Sequence, residues 1–186
     1  MARIVVTEFV TLDGVFEDPG GSEGVERGGW AFQFERGEEG DRFKLDETMG
    51  SEAMLLGRRT FEEFAKHWPE RDGEFADKFN SMPKYVVSST LRDPAWNNTT
   101  VLEGDVVDAV TRLTKEQDGD IAVHGSAQLV QALIEHDLVD ELRLMVFPVV
   151  LGSGKRLFGE MAKKPMRLSD SRTVGDGVAI LVYEPA

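Results

Sequence analysis

Cysteine is absent from the 186 residues. Its absence excludes a disulfide framework, a thiolate nucleophile and a cysteine zinc site. Histidine is scarce, with three residues scattered along the chain, so a metal site would have to be built mostly from carboxylates. Basic residues are outnumbered, 21 Lys and Arg against 34 Asp and Glu, for a net charge of −13. A chain this acidic is a poor non-specific ligand for nucleic acid or an anionic membrane. No apolar run approaches the ~20 residues of a membrane-spanning helix. The start, Met1-Ala-Arg-Ile-Val-Val6, lacks a signal peptide's long apolar region and reads directly as a strand. The expectation is a soluble cytoplasmic protein that binds neither nucleic acid nor membrane. Motifs are also missing: there is no G-x-S-x-G elbow, P-loop, H-E-x-x-H or G-x-G-x-x-G. With 41% apolar residues the chain can still build a proper core, and its length fits one domain over 1–186.

What is present is organised around Ala53-Met-Leu-Leu-Gly-Arg-Arg-Thr-Phe-Glu-Glu-Phe64. Ala53 to Leu56 is an apolar run of buried-strand length. Gly57 turns the chain, and Phe61, Phe64 and Ala65 then follow helical spacing. Thr60 with Glu63 reads as a capping box. A helix start offers free N–H groups and the positive end of its dipole. With Arg58 and Arg59 beside it, this is a plausible phosphate site. Two surface arginines at a loop is the other reading, and both stand on these residues alone.

Arg3 to Phe9 reads as a first, central strand, ended by Thr11-Leu12-Asp13-Gly14. Asp13 is either a ligand-facing carboxylate or only a turn residue. From Glu17 to Gly40 the chain is glycine-rich and acidic, with Trp30, Phe32 and Phe34 alternating. A loop of this length is a lid or a mobile segment, and its aromatics make a short strand, an apolar flap or a pin to the core. The spacing predicts a helix over 41–52, with Phe43, Leu45 and Met49 inward. A short strand runs from Pro83 into Ser88-Ser89-Thr90, and another covers 98–102. Asp105 caps a helix whose apolar face is Val106, Val107, Val110 and Leu113. Asp120 to His124 is a strand that meets Gly125-Ser126-Ala127-Gln128 and a helix carrying Leu129, Val130, Leu133 and Ile134. A long apolar strand spans 140–151, and a hairpin around 175–177 closes the chain. Strands alternating with helices, then a strand-rich end, give an α/β fold: a mostly parallel mixed sheet, helices on both faces, an antiparallel C-terminal hairpin.

In a parallel sheet three strand ends fall on one edge: 57–60, 88–90 and 125–128. Together they suit an extended anionic ligand such as a dinucleotide. The plain alternative is that α/β folds simply have such turns.

Five segments in order carry a resemblance: Leu56-Gly-Arg-Arg-Thr-Phe61, Lys84-Tyr-Val-Val-Ser-Ser89, Ile121-Ala-Val-His-Gly-Ser126, Val139-Asp-Glu-Leu-Arg143, and Pro148-Val-Val-Leu-Gly-Ser-Gly-Lys-Arg-Leu-Phe158. The chain resembles the dihydrofolate-reductase-like family that includes the C-terminal reductase domain of the bifunctional riboflavin-biosynthesis deaminase-reductase. That resemblance implies an NADPH site, with Gly57, Arg58, Arg59 and Thr60 at the cofactor phosphates. It implies Ser88, Ser89 and Thr90 at the adenosine 2′-phosphate, and Gly125, Ser126, Ala127 and Gln128 at the pyrophosphate and nicotinamide ribose. It also makes a homodimer the expectation, and the strand from Leu142 to Leu151 is a candidate to pair across its interface.

The chain departs from true dihydrofolate reductases in three places. Residues 14–40 lack their Leu-Pro-Trp lid element. Their glycine pair reads His124-Gly125 here. Their pterin-contacting threonine falls near Met145. Their pterin-binding acid falls at Asp41, with Asp46 as the alternative. Lys155 and Arg156 are candidates for a substrate's ribose phosphate, or decorate a turn. The expected activity is hydride transfer from NADPH to a small-molecule acceptor, pteridine- or pyrimidine-like, at a C=N or C=O bond. Asp13 and Asp41 are the candidate proton donors or substrate anchors. A non-catalytic ligand-binding protein on the same fold is the alternative, and true folate reduction a third option.

Overall fold

Arg3–Thr11 is β-branched and apolar without helical spacing, and it forms strand β1 in the interior of an eight-stranded sheet. The computed structural model describes all residues from 1 to 186. The strands β2 (Ser51–Gly57), β3 (Lys84–Val87), β4 (Thr99–Leu102), β5 (Asp120–Val123) and β6 (Glu141–Phe147) form parallel pairs with β1 or with one another. The strands β7 (Met166–Val174) and β8 (Val178–Pro185) form the C-terminal hairpin, and β8 pairs antiparallel with β6. The order across the sheet is β4-β3-β2-β5-β1-β6-β8-β7. This is a dihydrofolate-reductase-like sheet.

Alternation along β2 explains why its apolar run is continuous. Ala53 and Leu55 join one core, Met54 and Leu56 the other, so both faces are covered. The helices α4 (Val106–Glu116) and α5 (Ala127–Glu135) lie on the first face, where Val110, Leu113, Val130 and Leu133 meet Ile4, Val6 and Val10. The helices α1 (Gly37–Gly50), α2 (Arg58–His67) and α3 (Glu74–Ser81) cover the opposite face. Phe61 and Phe79 pack there with Met54, Leu56 and Val86. Asp105 caps α4 as its sequence suggests, its carboxylate accepting the Asp108 N–H at 3.0 Å. No helix is long and apolar enough to cross a membrane.

Three local expectations change, and one left open, the role of the loop aromatics, is decided. Helix α2 begins at Arg58, directly after extended Gly57, so Thr60 lies inside the first turn and caps nothing. Helix α1 runs over 37–50, and its buried residues are Gly40, Lys44, Glu47 and Thr48 rather than Phe43, Leu45 and Met49. The strand expected over 140–151 ends at Phe147 and is hydrogen-bonded on both sides, by β1 and β8, so it has no edge to offer a second subunit. The aromatics of the long loop form no strand. Trp30–Gln33 is one 3-10 turn, with Trp30 buried and Phe32 75% exposed.

Trp30 pins the loop to the core. Its ring meets Phe147 edge-on at 5.5 Å, and its indole N–H donates to the Glu17 carbonyl at 2.9 Å. The loop's far end is tied to the C-terminal hairpin. The Asp176 N–H donates to the Glu35 carbonyl at 2.8 Å, and the Asp176 carboxylate accepts the Glu35 N–H at 2.9 Å. Gly175 sits so close that a Cβ there would overlap the Glu35 carbonyl.

Candidate functional site

The sheet order brings the three turns together. Strands β3, β2 and β5 are neighbours, so Ser88, Gly57 and Gly125 follow one another along the carboxyl edge. An open α/β sheet offers its ligand crevice at this edge.

The turns at Gly57 and Gly125 interlock. The Ser126 hydroxyl accepts the Gly57 N–H at 2.9 Å and donates to the His124 carbonyl at 3.0 Å. Thr60 Oγ1 accepts the Ser126 N–H at 3.0 Å. Gly125 and Ser126 are both left-handed, at φ 55° and 59°. A Cβ on Gly125 would come within 2.8 Å of Thr60 Oγ1, so only glycine fits without a shift. The result holds the N-termini of α2 and α5 side by side, with their free N–H groups at the same edge. Ala127 and Gln128 open α5, and Gln128 is exposed.

At the third turn the Ser88 hydroxyl accepts the N–H groups of Thr90 and Leu91 at 3.2 and 2.9 Å. Ser89 and Thr90 are exposed beside it. Arg92 closes this turn through the Ser89 and Leu91 carbonyls at 3.2 and 2.9 Å. The two arginines of α2 differ. Arg58 is paired with Glu62 one helical turn on, at 3.0 Å, whereas Arg59 is exposed and makes no ion pair.

Beyond β5 the edge continues to β1 and β6, where a cavity of about 170 Å³ opens. Phe9, Phe34 and Phe147 form its apolar wall, Phe32 its rim, and Arg36 and Asp41 its polar side. The Arg36 guanidinium lies over the Phe9 ring at 5.4 Å and pairs with Asp41 at 2.8 Å. Asp41 therefore faces a cavity next to the three turns. Asp46 does not: it lines a larger, charged cavity of about 520 Å³ with Asp120 and Glu141, where β5 and β6 begin, at the opposite end of the strands. The charges there pair among themselves, Arg143 with Glu141 and Arg172 with Asp170.

Asp13 sits at a turn that its carboxylate helps to hold together. Its carboxylate accepts the Thr11 hydroxyl at 2.6 Å and the N–H groups of Leu151 and Gly152 at 3.2 and 2.8 Å. These bonds, the Thr11 hydroxyl first, lower its pKa to about 2. Asp13 is ionised near neutrality and clamps the 151–152 turn. Arg156 donates to the Asp13 carbonyl and Lys155 pairs with Glu17 at 3.4 Å, so both basic residues also hold this turn.

Under α1 lies a polar cluster that the sequence did not reveal. Lys44 donates to Thr7 Oγ1 at 2.8 Å and to Glu47, and Thr7 donates to Glu47 at 2.8 Å. Burial pushes the Glu47 carboxyl up, but Lys44 and Thr7 outweigh it and hold it below its ordinary value. The His124 ring lies against Phe79 at 5.2 Å and Phe64 at 6.2 Å. Burial there, with Lys44 nearby, lowers its pKa to about 3, so it is neutral. Glu8, on the other face of β1, is 6% exposed, and burial pushes its carboxyl well above the usual range. The signal for the Lys44 cluster was a Lys-x-x-Glu spacing on a helix, which reads equally well as a solvated pair. For Glu8 it was a lone acid inside an apolar strand.

Two proteins of Bacillus subtilis (strain 168), the uncharacterized proteins YyaP and YwjB, are 29% and 28% identical to the chain. Their alignments cover 97% and 96% of it, and 94% and 95% of their own lengths. Among solved structures, a putative riboflavin biosynthesis protein from Shewanella sp. PV-4 superposes with a TM-score of 0.81 at 21% identity, covering 99% of each chain. A pyrimidine reductase-like protein from Corynebacterium diphtheriae gives 0.68 at 14% identity, over 99% of this chain and 92% of that one. Dihydrofolate reductase from Enterococcus faecalis, complexed with NADP(H) and RAB-propyl, gives 0.60 at 14% identity, over 98% and 96%. These structural matches fix the fold. Residues 2–180 match the RibD C-terminal domain, and the chain belongs to that reductase-like family.

Proposed function

We propose that the protein is an NADPH-dependent reductase that delivers hydride to a small, flat acceptor, pteridine- or pyrimidine-like, at a C=N or C=O bond. The observation that carries this reading is the interlock of Gly57, Thr60, Gly125 and Ser126, which sets two helix N-termini side by side on the ligand edge. A dinucleotide's phosphates fit such a cradle. Gly57, Thr60, Ser126, Ala127 and Gln128 would hold the phosphates and ribose, Ser88, Ser89 and Thr90 the 2′-phosphate side, and Arg58 and Arg59 would supply charge. When bound, the dihydronicotinamide supplies the hydride, and the protein supplies position and charge. The neighbouring cavity, walled by Phe9, Phe34 and Phe147, suits the acceptor ring, with Asp41 as its anchor. The relatives' printed names, riboflavin biosynthesis and pyrimidine reductase-like, agree with such an acceptor.

Titration of the protein with NADPH and NADH, followed by thermal shift, tests the cofactor. NADPH is expected to stabilise it at micromolar concentration, and no shift at millimolar NADPH removes the proposal. Arg59→Ala is expected to weaken NADPH more than Arg58→Ala, because Arg58 is already paired with Glu62. Both are expected to spare NADH; equal losses for the two cofactors would leave only a pyrophosphate role.

A second reading, a ligand-binding protein without turnover, is favoured by one observation. Asp13 is ionised and turned to the 151–152 turn, and Asp41, the carboxylate at the cavity, is paired with Arg36. NADPH binding without oxidation across a panel of pteridines and pyrimidines would select it.

A further inference from the structure

The cavity walled by Phe9, Phe34 and Phe147 has one basic side chain, Arg36, and two acidic ones, Glu35 and Asp41. One positive and two negative charges leave a net −1. The Arg36 guanidinium is already engaged, over the Phe9 ring and with Asp41 at 2.8 Å. Within that pair the carboxylate is turned outward: its side chain is 65% exposed, against 26% for the arginine. A ligand entering the cavity therefore meets a carboxylate before it meets a cation.

The basic residues that the sequence offers for a substrate's phosphate lie elsewhere. Lys155 pairs with Glu17 at 3.4 Å, Arg156 donates to the Asp13 carbonyl and Arg27 to the Leu151 carbonyl, and none of the three lines the cavity. The glycine-rich loop adds further acids. Burial, with the Asp18, Glu63 and Glu17 charges around it, pushes the Glu23 carboxyl up. An anionic substituent brought into the cavity would leave water, gain no free cation and face carboxylates, a cost that an uncharged ring escapes. At the three turns the charge logic is reversed. Two helix N-termini and Arg59, which makes no ion pair, offer themselves to phosphates there.

We propose that the acceptor is an uncharged, phosphate-free heterocycle, and that Glu35 and Asp41 exclude its anionic counterparts from the cavity. The assignment rests on the reductase reading above and narrows it. Phosphates are sorted to the turns and the flat ring to the phenylalanines, so the same charges keep the cofactor's phosphate end out of the acceptor's place. A substrate carrying a ribose phosphate is thereby set aside.

The test uses matched pairs that differ in charge: pterin with 6-carboxypterin, and uridine with uridine 5′-monophosphate. Each is titrated by calorimetry into the full chain saturated with NADP⁺, so that no turnover intervenes. The neutral member is expected to bind roughly tenfold or more tightly than the anionic one. Asp41→Asn releases Arg36 and is expected to narrow that ratio at least about fivefold, through a gain by the anionic member. Salt gives a second reading on the unaltered protein, independent of any variant's folding. Raising it from about 50 to about 500 mM is expected to strengthen the anionic member and leave the neutral one within about twofold, because screening weakens repulsion. An anionic member that binds as tightly as its neutral partner, one that weakens with salt, or a ratio unmoved by Asp41→Asn overturns the assignment. Failure of all four compounds to bind the NADP⁺-loaded protein overturns it too, since the cavity then takes no such ring. In each of these cases the cofactor reading stands. If neither NADPH nor NADP⁺ binds, the cofactor reading itself fails, and the acceptor assignment fails with it.

Discussion

Thr60 and Ser126 lie 66 residues apart, and the hydroxyl of the first accepts the backbone N–H of the second at 3.0 Å. This bond fastens one strand–turn–helix unit to the next. Thr60→Val keeps the shape and leaves the Ser126 N–H unpaired. We expect a loss of about 1 kcal/mol, or about 3 °C in Tm, with weaker NADPH binding. Thr60→Ser is expected to retain both. Gly125→Ala is expected to lose more than Thr60→Val, since it adds a left-handed alanine to a 2.8 Å clash. Thermal melts of the three variants, with and without NADPH, read these differences.

The titrating groups predict an acid-labile fold. His124 has a folded pKa of about 3 against an ordinary 6.5, so the unfolded chain takes a proton that the folded chain refuses. Stability therefore falls as the pH drops from 6.5 towards 3. Asp13, at about 2 against 3.8, adds a loss that begins below pH 3.8 and runs to about 2. Glu8 acts in the opposite sense. Its folded value lies above 4.5, so its contribution is present below 4.5 and is lost as the pH rises through the folded value. Urea midpoints measured across pH 3 to 7 are expected to fall on the acid side. His124→Phe is expected to flatten the slope between 6.5 and 4, and an unchanged slope would place the acid sensitivity elsewhere.

Lys44 and Glu47 are both buried, and each compensates the other. Lys44→Met leaves the buried Glu47 carboxylate with only the Thr7 hydroxyl and the Arg143 guanidinium, 3.5 Å away, and is expected to cost about 3 kcal/mol. Lys44→Met with Glu47→Leu is expected to recover most of that loss, because two apolar side chains of similar volume need no compensation. A double-mutant cycle in denaturant measures the coupling. Additive losses would mean that the pair is held by packing alone.

The two aromatics of the 3-10 turn separate stability from ligand contact. Trp30→Ala removes a side chain that is 1% exposed and is expected to cost about 3–5 kcal/mol. Phe32 is 75% exposed at the cavity rim, so Phe32→Ala is expected to leave stability within about 0.5 kcal/mol. Its effect is expected in acceptor affinity alone, read by ligand titration at fixed NADPH.

What could be read from the sequence was what local patterns encode. The buried run of β2, the Asp105 cap, the hairpin around 175–177 and the glycine turns all have short-range causes. So the sheet, its edge and the three turns were legible before any coordinate. The remainder depends on partners far along the chain. Thr60 followed by Glu63 has the spacing of a cap, yet its hydroxyl serves Ser126. Asp13 reads as a turn or a ligand, and its partners are Leu151 and Gly152. The inward side of α1 is polar because Lys44 meets Thr7 and Glu47, and a search for apolar spacing passes over it. The strand ending at Phe147 looked free to pair only because β8, which covers it, comes later in the chain.

The tie between Glu35 and Asp176 spans 141 residues. During synthesis the glycine-rich loop therefore leaves the ribosome long before the turn that anchors it. Until 175–177 arrives, the loop that carries Phe32 and Phe34 is unanchored at its far end, and the cavity walled by Phe9 and Phe147, which we propose for the acceptor, is incomplete. Contacts of such long range form late and slowly. Ligand competence should therefore appear abruptly, as the hairpin docks, and ribosome-arrested chains stopped before residue 175 should hold a largely formed parallel sheet with no acceptor site.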